Sequence, residues 1–152
     1  MNVVLVNPEI PPNTGNVGRL CCATGSTLHL IKPLGFHLDD RSLKRAGLDY
    51  WEKLDLVIWE TLDSYLASVS SDKLVLTSSK RGEVYHIIRY RRDDHLIFGP
   101  ETTGLDEAMF KRFPARVARL PVIREKVRSL NLSSSVAIIV YEALKQTGGL
   151  PA

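Results

Sequence analysis

Short apolar runs punctuate the chain at 3–6, 28–31, 55–59, 73–77, 95–98 and 116–120. Each is close to continuous rather than alternating, the pattern of strands buried on both faces of a parallel sheet. Amphipathic stretches between them predict helices over 15–24, 40–47, 61–68 and 106–112. This βαβ rhythm predicts an α/β fold with helices on both faces of a mainly parallel sheet. The clearest element comes last. Over 131–145, Leu132, Val136, Ile139, Val140, Ala143 and Leu144 fall at helical spacing. Ser129 or Asn131 can cap its start, and Gly148, Gly149 and Pro151 follow its end. Two of its sides are apolar or small, as for a helix held between the sheet and a further surface such as a second subunit. No repeat or linker interrupts the chain, so one domain over 1–152 is expected.

Composition narrows this picture. The chain has 152 residues, 44% hydrophobic and 24% charged, an ordinary globular balance that excludes a disordered tail. The longest unbroken apolar run, 136–141, is far short of a bilayer span, and no secretory leader is visible. Cys21 and Cys22 are adjacent, which excludes a disulfide framework and favours a cytoplasmic location. Charge is uneven: residues 1–76 carry 7 Lys/Arg against 9 Asp/Glu, and residues 77–152 carry 13 against 8. Arg116 to Arg128 is densely basic. Such a stripe is either a polyanion footprint or a solvated charged face.

Three glycine- or serine-bearing loops each follow a predicted strand. In the first, 8–20, the prolines are expected to hold the chain extended, and Asn13 or Thr14 to cap a helix that runs through Arg19. Its amide groups could face an anion, with Arg19 adding a forked phosphate contact; the alternative is an ordinary capped turn. The second, 98–105, sets Gly99 and Gly104 around Glu101 at the end of a strand, where α/β sheets bind ligands. The third leaves Leu120, passes the basic run and enters the last helix through Ser129, Leu130 and Asn131. In a parallel sheet the three converge on one edge, so a small-molecule site is expected there.

Other chemistries find less support. His29, His37, His86 and His95 are scattered, so no metal site is expected. No nucleophile elbow is present. Cys21 is either a core residue or a thiol activated by nearby Arg19. Tyr50 and Trp51 either stack on bases or pack.

Taken together, Asn13-Thr14-Gly15-Asn16-Val17-Gly18-Arg19-Leu20-Cys21, the stretch from Phe98 to Leu105, and Ser129-Leu130-Asn131-Leu132-Ser133 resemble the three motifs of the SPOUT class of RNA methyltransferases. The segments 8–12 and 46–51 resemble its small tRNA ribose methyltransferases, the TrmL-like subgroup that acts on wobble position 34. The resemblance implies a C-terminal trefoil knot, S-adenosyl-L-methionine as cofactor, a homodimer and the tRNA anticodon arm as substrate. It implies cofactor contacts at Leu76 or Thr77, Gly99, Leu120, Ser129 and Leu130, and site roles for Arg19, Asn13, Glu101, Ser129 and Asn131. Lys80, Arg81, Arg124, Lys126 and Arg128, with Arg89, Arg91 and Arg92, are expected to meet RNA. Thr103 stands where many relatives carry arginine, Val122 replaces a common methionine, and the segments 79–82 and 121–129 are slightly longer than in relatives. Two alternatives stay open: the same chemistry on ribosomal RNA, and a non-catalytic RNA-binding module, since Gly15 to Gly18 has the form of a backbone clamp.

Overall fold

The computed structural model describes residues 1–38 and 50–151. The helix expected over 40–47, and most of the 46–51 segment, lie outside them.

Seven strands, β1 (Asn2–Val6), β2 (Thr27–Ile31), β3 (Leu56–Trp59), β4 (Leu74–Ser78), β5 (Glu83–Val84), β6 (His95–Phe98) and β7 (Val117–Arg119), form one sheet in the order β3-β2-β1-β6-β4-β7-β5. Every pairing is parallel. Central strands are buried on both sides, which is why their sequences read as unbroken apolar runs: Val3, Val4, Leu5, Leu96 and Ile97 are all fully buried.

Helices α1 (Pro11–Thr24), α2 (Leu62–Ser68), α3 (Glu107–Arg112) and α4 (Leu132–Thr147) cover the two faces. One core gathers Val17 and Cys21 of α1 with Val136, Ile139, Val140, Ala143 and Leu144 of α4 over Val3, Leu5, Leu28 and Leu96. The other gathers Tyr65, Leu66, Met109 and Phe110 of α2 and α3 over Val4, Ile31, Leu76 and Ile97. Alternate residues of one strand thus serve opposite cores.

The strand order departs from chain order in one telling place. β7 lies between β4 and β5, two strands laid down before it. The chain reaches β7 from α3 on one face and leaves it towards α4 on the other.

Several local expectations change. α1 begins at Pro11, not at residue 15, because Pro11 and Pro12 occupy the first helical turn, where a missing N–H costs nothing. Neither Asn13 nor Thr14 caps it; the N-cap is Ile10, with no side-chain cap. Arg19 therefore sits in the third turn. α4 is capped as expected, the Asn131 side chain accepting from the Ser133 and Ser134 amides, and it ends at Gly148 in the left-handed conformation. β5 has no counterpart in the sequence reading, being too short to show a pattern.

A buried ion pair fixes the far end of the sheet. Arg116 sends both guanidinium nitrogens to Asp94, at 2.7 and 2.6 Å, and also donates to the Asp72 and Arg89 carbonyls. Asp94 is fully buried. Arg116 is thereby a structural residue and no part of an open basic stripe.

Candidate active site

The loops leaving β1, β6 and β7 meet at the C-terminal edge of the sheet, and one chain of hydrogen bonds joins them. Asn131, ahead of α4, holds the helix start through its Oδ1, which accepts from the Ser133 N–H at 2.9 Å and the Ser133 hydroxyl at 2.7 Å. Its Nδ2 donates to Oδ1 of Asn13 at 2.9 Å. Asn13 Nδ2 donates to Glu101 Oε1 at 3.2 Å. Glu101 also accepts from the Glu9 N–H at 2.7 Å and the Ile10 N–H at 3.1 Å. A carboxylate brought from the β6 loop therefore takes over the amides at the start of α1, where a negative charge is favoured. Glu9 returns the contact, its carboxylate accepting from the Thr102 N–H and hydroxyl, each at 2.9 Å.

This explains why α1 manages without a local cap. Asn13 faces inward and is almost fully buried, and its side chain is committed at both ends. Asn13, Glu101 and Asn131, for which the resemblance implies site roles, are joined in one chain through Asn13.

The second loop is tightly folded. Gly104 takes φ +70°, and its N–H donates to the Pro100 carbonyl at 2.8 Å. A Cβ at Gly99 would lie 2.2 Å from the Leu105 nitrogen, so the loop's own return path demands glycine there. Beside Gly99, Leu76 is buried and pairs with Ile97 and Val117, and the Thr77 hydroxyl donates to the Ile97 carbonyl at 2.8 Å. The Leu120 N–H reaches the Ser78 carbonyl at 3.4 Å. The ends of β4, β6 and β7 therefore lie side by side. Ser129 and Leu130 are exposed in the third loop, with Ile123 and Val127 also exposed nearby.

Around Gly99, Leu120, Ser129 and Leu130 this edge offers main-chain groups, a neutral hydroxyl and exposed aliphatic surface. Such a set fits S-adenosyl-L-methionine, whose adenine is flat and neutral and whose amide-like edges pair with backbone. Among the described residues no group of three or more His, Cys, Asp or Glu is placed to hold a metal ion.

Other expected residues stand apart from this junction. Arg19 is exposed, with its guanidinium over the Tyr50 ring at 5.4 Å from the centroid. The Tyr50 hydroxyl donates to the Gly15 carbonyl, and Trp51 packs beside Gly18, so both aromatics are packing residues in this chain. Cys21 is fully buried, and burial pushes its thiol up to about 12, so Arg19 does not activate it. Lys80 and Arg124 are neighbours, Arg124 Nη2 donating to the Lys80 carbonyl at 3.0 Å. Lys126 and Arg128 are exposed. Arg81 makes a two-pronged pair with Glu107, at 2.8 and 2.7 Å. Arg91 pairs with Asp72, and Arg92 donates to the Thr147 carbonyl.

The scattered histidines conceal a cluster that sequence spacing did not reveal. His29 and His95 stand 5.7 Å apart by ring centroid, with Tyr65 and Trp59 around them. Trp59 Nε1–H donates to His29 Nδ1 at 3.1 Å, which leaves His29 Nε2 to donate to Asn2 Oδ1 at 3.3 Å. A proton added at Nδ1 would face the indole N–H. Burial lowers both histidines, His95 to about 4, with the His29 charge adding to the effect. Both sit on strands that are adjacent to β1, a relationship only the fold creates.

Comparison with known proteins gives the family. Residues 1–141 match the SpoU rRNA Methylase family. A tRNA (cytidine(34)-2'-O)-methyltransferase of Burkholderia pseudomallei is 47% identical over 150 residues, covering 97% of this chain and 96% of its own. One from Methylovorus glucosotrophus is 44% identical over 146 residues, covering 95% and 94%. A solved structure concerned with 2-OH methylation of C/U34 on tRNA superposes with a TM-score of 0.89 at 41% identity, covering 95% of this chain and 94% of that one. A SpoU methyltransferase from Streptomyces viridochromogenes, solved with AdoMet, shares the fold at 21% identity and a TM-score of 0.84, covering 96% of this chain and 57% of that one. With a match that spans nearly its whole length, the chain belongs to the SpoU rRNA Methylase family.

Proposed function

We propose that this chain transfers a methyl group from S-adenosyl-L-methionine to the ribose 2′-hydroxyl of nucleotide 34 in the anticodon arm of tRNA. The observation that carries the reading is the Glu101–Asn13–Asn131 chain, which binds three separate loops into one rigid edge. Near-full-length relatives that bear the name of this activity support the substrate.

When bound, the cofactor supplies an electrophilic methyl carbon on a sulfonium. Leu76 or Thr77, Gly99, Leu120, Ser129 and Leu130 would hold it, chiefly through backbone groups. The residues of the chain then have to orient a sugar oxygen and manage its proton. Arg19 is not the base, because a guanidinium keeps its protons in proteins. It grips the phosphate beside the target ribose and steadies the negative charge that grows on the oxygen. The proton leaves to phosphate, solvent or a weak side-chain base. Glu101, Asn13 and Asn131 set the geometry, and Ser129 lies at the mouth of the third loop. Lys80, Arg124, Lys126 and Arg128 form the RNA path.

The working unit is one domain over 1–152, acting as a homodimer in the cytoplasm. Its α4 face and first helix form the interface, with Tyr141 exposed on α4 and Ile10 exposed ahead of α1. A C-terminal trefoil knot belongs to this reading, and the insertion of β7 between the earlier strands β4 and β5 supports it.

The test is methyl transfer from labelled cofactor to total tRNA and to ribosomal RNA, with the modified nucleotide mapped. Label at position 34 of tRNA is expected. Label on ribosomal RNA alone would move the substrate, and binding without transfer would leave an RNA-binding module. Arg19→Lys keeps the charge but loses the fork, and turnover should fall by about tenfold or more; near-normal turnover would remove the fork from the mechanism.

A further inference from the structure

The turn that joins β4 to β5 is held on three sides. Gly82 takes φ +94°, and a Cβ there would lie 2.2 Å from the Val117 carbonyl oxygen, so the turn is pressed against β7. Arg119 Nε donates to the Gly82 carbonyl at 3.3 Å. Inside the turn, the Ser78 hydroxyl oxygen accepts from the Lys80 and Arg81 amides at 3.0 and 3.3 Å. From this turn the Lys80 carbonyl receives Arg124, which belongs to the third loop.

Its outer anchor is Arg81. Both guanidinium prongs meet the Glu107 carboxylate on α3, and the Arg81 Cζ lies over the Phe110 ring, 4.7 Å from its centroid. Glu107 is the first residue of α3, which directly follows the second loop. Arg81 thus connects the loop of Gly99 and Glu101 to the loop of Leu120, Ser129 and Leu130, by way of Lys80 and Arg124. A forked pair stacked on an aromatic fixes a side chain far better than a single contact does. The same fork commits its hydrogen-bonding edge to Glu107, which a phosphate would have to displace.

We infer that Arg81 and Glu107 form a positioning pair that presets the third loop for the cofactor, rather than a point of RNA contact. The inference rests on the cofactor reading above and deepens it. It separates from an RNA role because the two roles predict opposite results for Glu107. If Arg81 served RNA, freeing it from Glu107 would strengthen RNA binding. If the pair serves the loop, loss of either partner weakens cofactor binding alike.

The experiment measures S-adenosyl-L-methionine affinity by calorimetry and tRNA affinity over a salt series, for the full chain and for Arg81→Ala, Glu107→Gln and Arg81→Lys. The pair is at the surface, so all three variants should fold, which their melting temperatures check. Arg81→Ala and Glu107→Gln should each weaken cofactor binding by about three- to fivefold, with Arg81→Lys between them and the parent. The salt slope of tRNA binding should not change. Unchanged cofactor affinity would overturn the inference. So would a salt slope reduced by about one in Arg81→Ala, which is the mark of a lost phosphate contact. Failure of the parent to methylate tRNA would refute the substrate reading alone, because cofactor affinity is read without RNA.

Discussion

At the scale of single residues, direction matters as much as contact. Asn13 works because its amide gives at one end and takes at the other: Nδ2 donates to Glu101, and Oδ1 accepts from Asn131. Asn13→Asp is nearly isosteric, yet it sets a carboxylate oxygen against the Glu101 carboxylate in a buried site. Such a reversal should cost about 2–3 kcal/mol, more than deletion of one bond, because two acceptors are left facing each other. Denaturant unfolding of Asn13→Asp and Asn13→Ala checks this, and equal losses would show that polarity is unimportant there. Glu101→Gln tests the same logic from the other side. One of its oxygens becomes an NH2 group facing either the Glu9 amide or the Ile10 amide with the Asn13 Nδ2, all of them donors. Methyl transfer should fall together with stability, since α1 and the second loop lose their common tie. Asp94→Ala provides the contrast, far from the site. It leaves Arg116 largely buried without its partner, so about 3–5 kcal/mol should be lost, with cofactor affinity unchanged in the folded fraction.

At the scale of elements, the sheet was legible and its connections were not. The runs at 3–6, 28–31 and 95–98 lie in the middle of the sheet, and burial on both faces writes itself into sequence as uninterrupted apolar residues. α4 was equally plain, because its cap residue, apolar stripe and terminal glycine all agree. The start of α1 departs from its sequence pattern for a physical reason: prolines favour both extended chain and a first helical turn, and the distant Glu101 favours the helix here. β5 was invisible because two residues carry no period. The histidine cluster was invisible because β2 and β6 meet β1 from opposite sides, far apart in the chain. That cluster yields a prediction about acid. Burial, with the charge of the other histidine, makes folded His95 refuse a proton until about pH 4, while the unfolded chain accepts one near 6.5. His29 is lowered in the same direction. Above 6.5 both are neutral in both states and contribute no slope. As pH falls from 6.5 towards 4 the unfolded state binds more protons, so stability must decline across that window. Denaturant midpoints at about pH 7 and about pH 5 should therefore differ, and His95→Asn should reduce the difference. An unaltered difference would acquit the cluster.

At the scale of the whole molecule, charge is the property that the fold redistributes most. The C-terminal half carries the excess of basic residues, but part of it is spoken for. Among the described residues of that half, Arg81, Arg91, Arg112, Arg116 and Lys145 are all paired with acids. Lys80, Arg124, Lys126 and Arg128 are not among those pairs, and they belong to two loops that touch through Arg124 and Lys80. A strip this small, rather than the whole basic half, should set the salt response of RNA binding. With about four phosphates neutralised, the logarithm of affinity should fall against the logarithm of salt with a slope of about −3. Twice that slope would mean that two such strips act on one RNA. Lys126→Ala and Arg128→Ala should each lower the slope by about one, whereas Arg91→Ala, whose charge is balanced by Asp72, should leave it nearly unchanged. A flat response in the parent would remove the strip from the RNA path and return its residues to an ordinary solvated surface. A slope lowered as much by Arg91→Ala as by Arg128→Ala would show that the paired arginines release their acids to bind RNA, and that the free chain understates the basic face that tRNA meets.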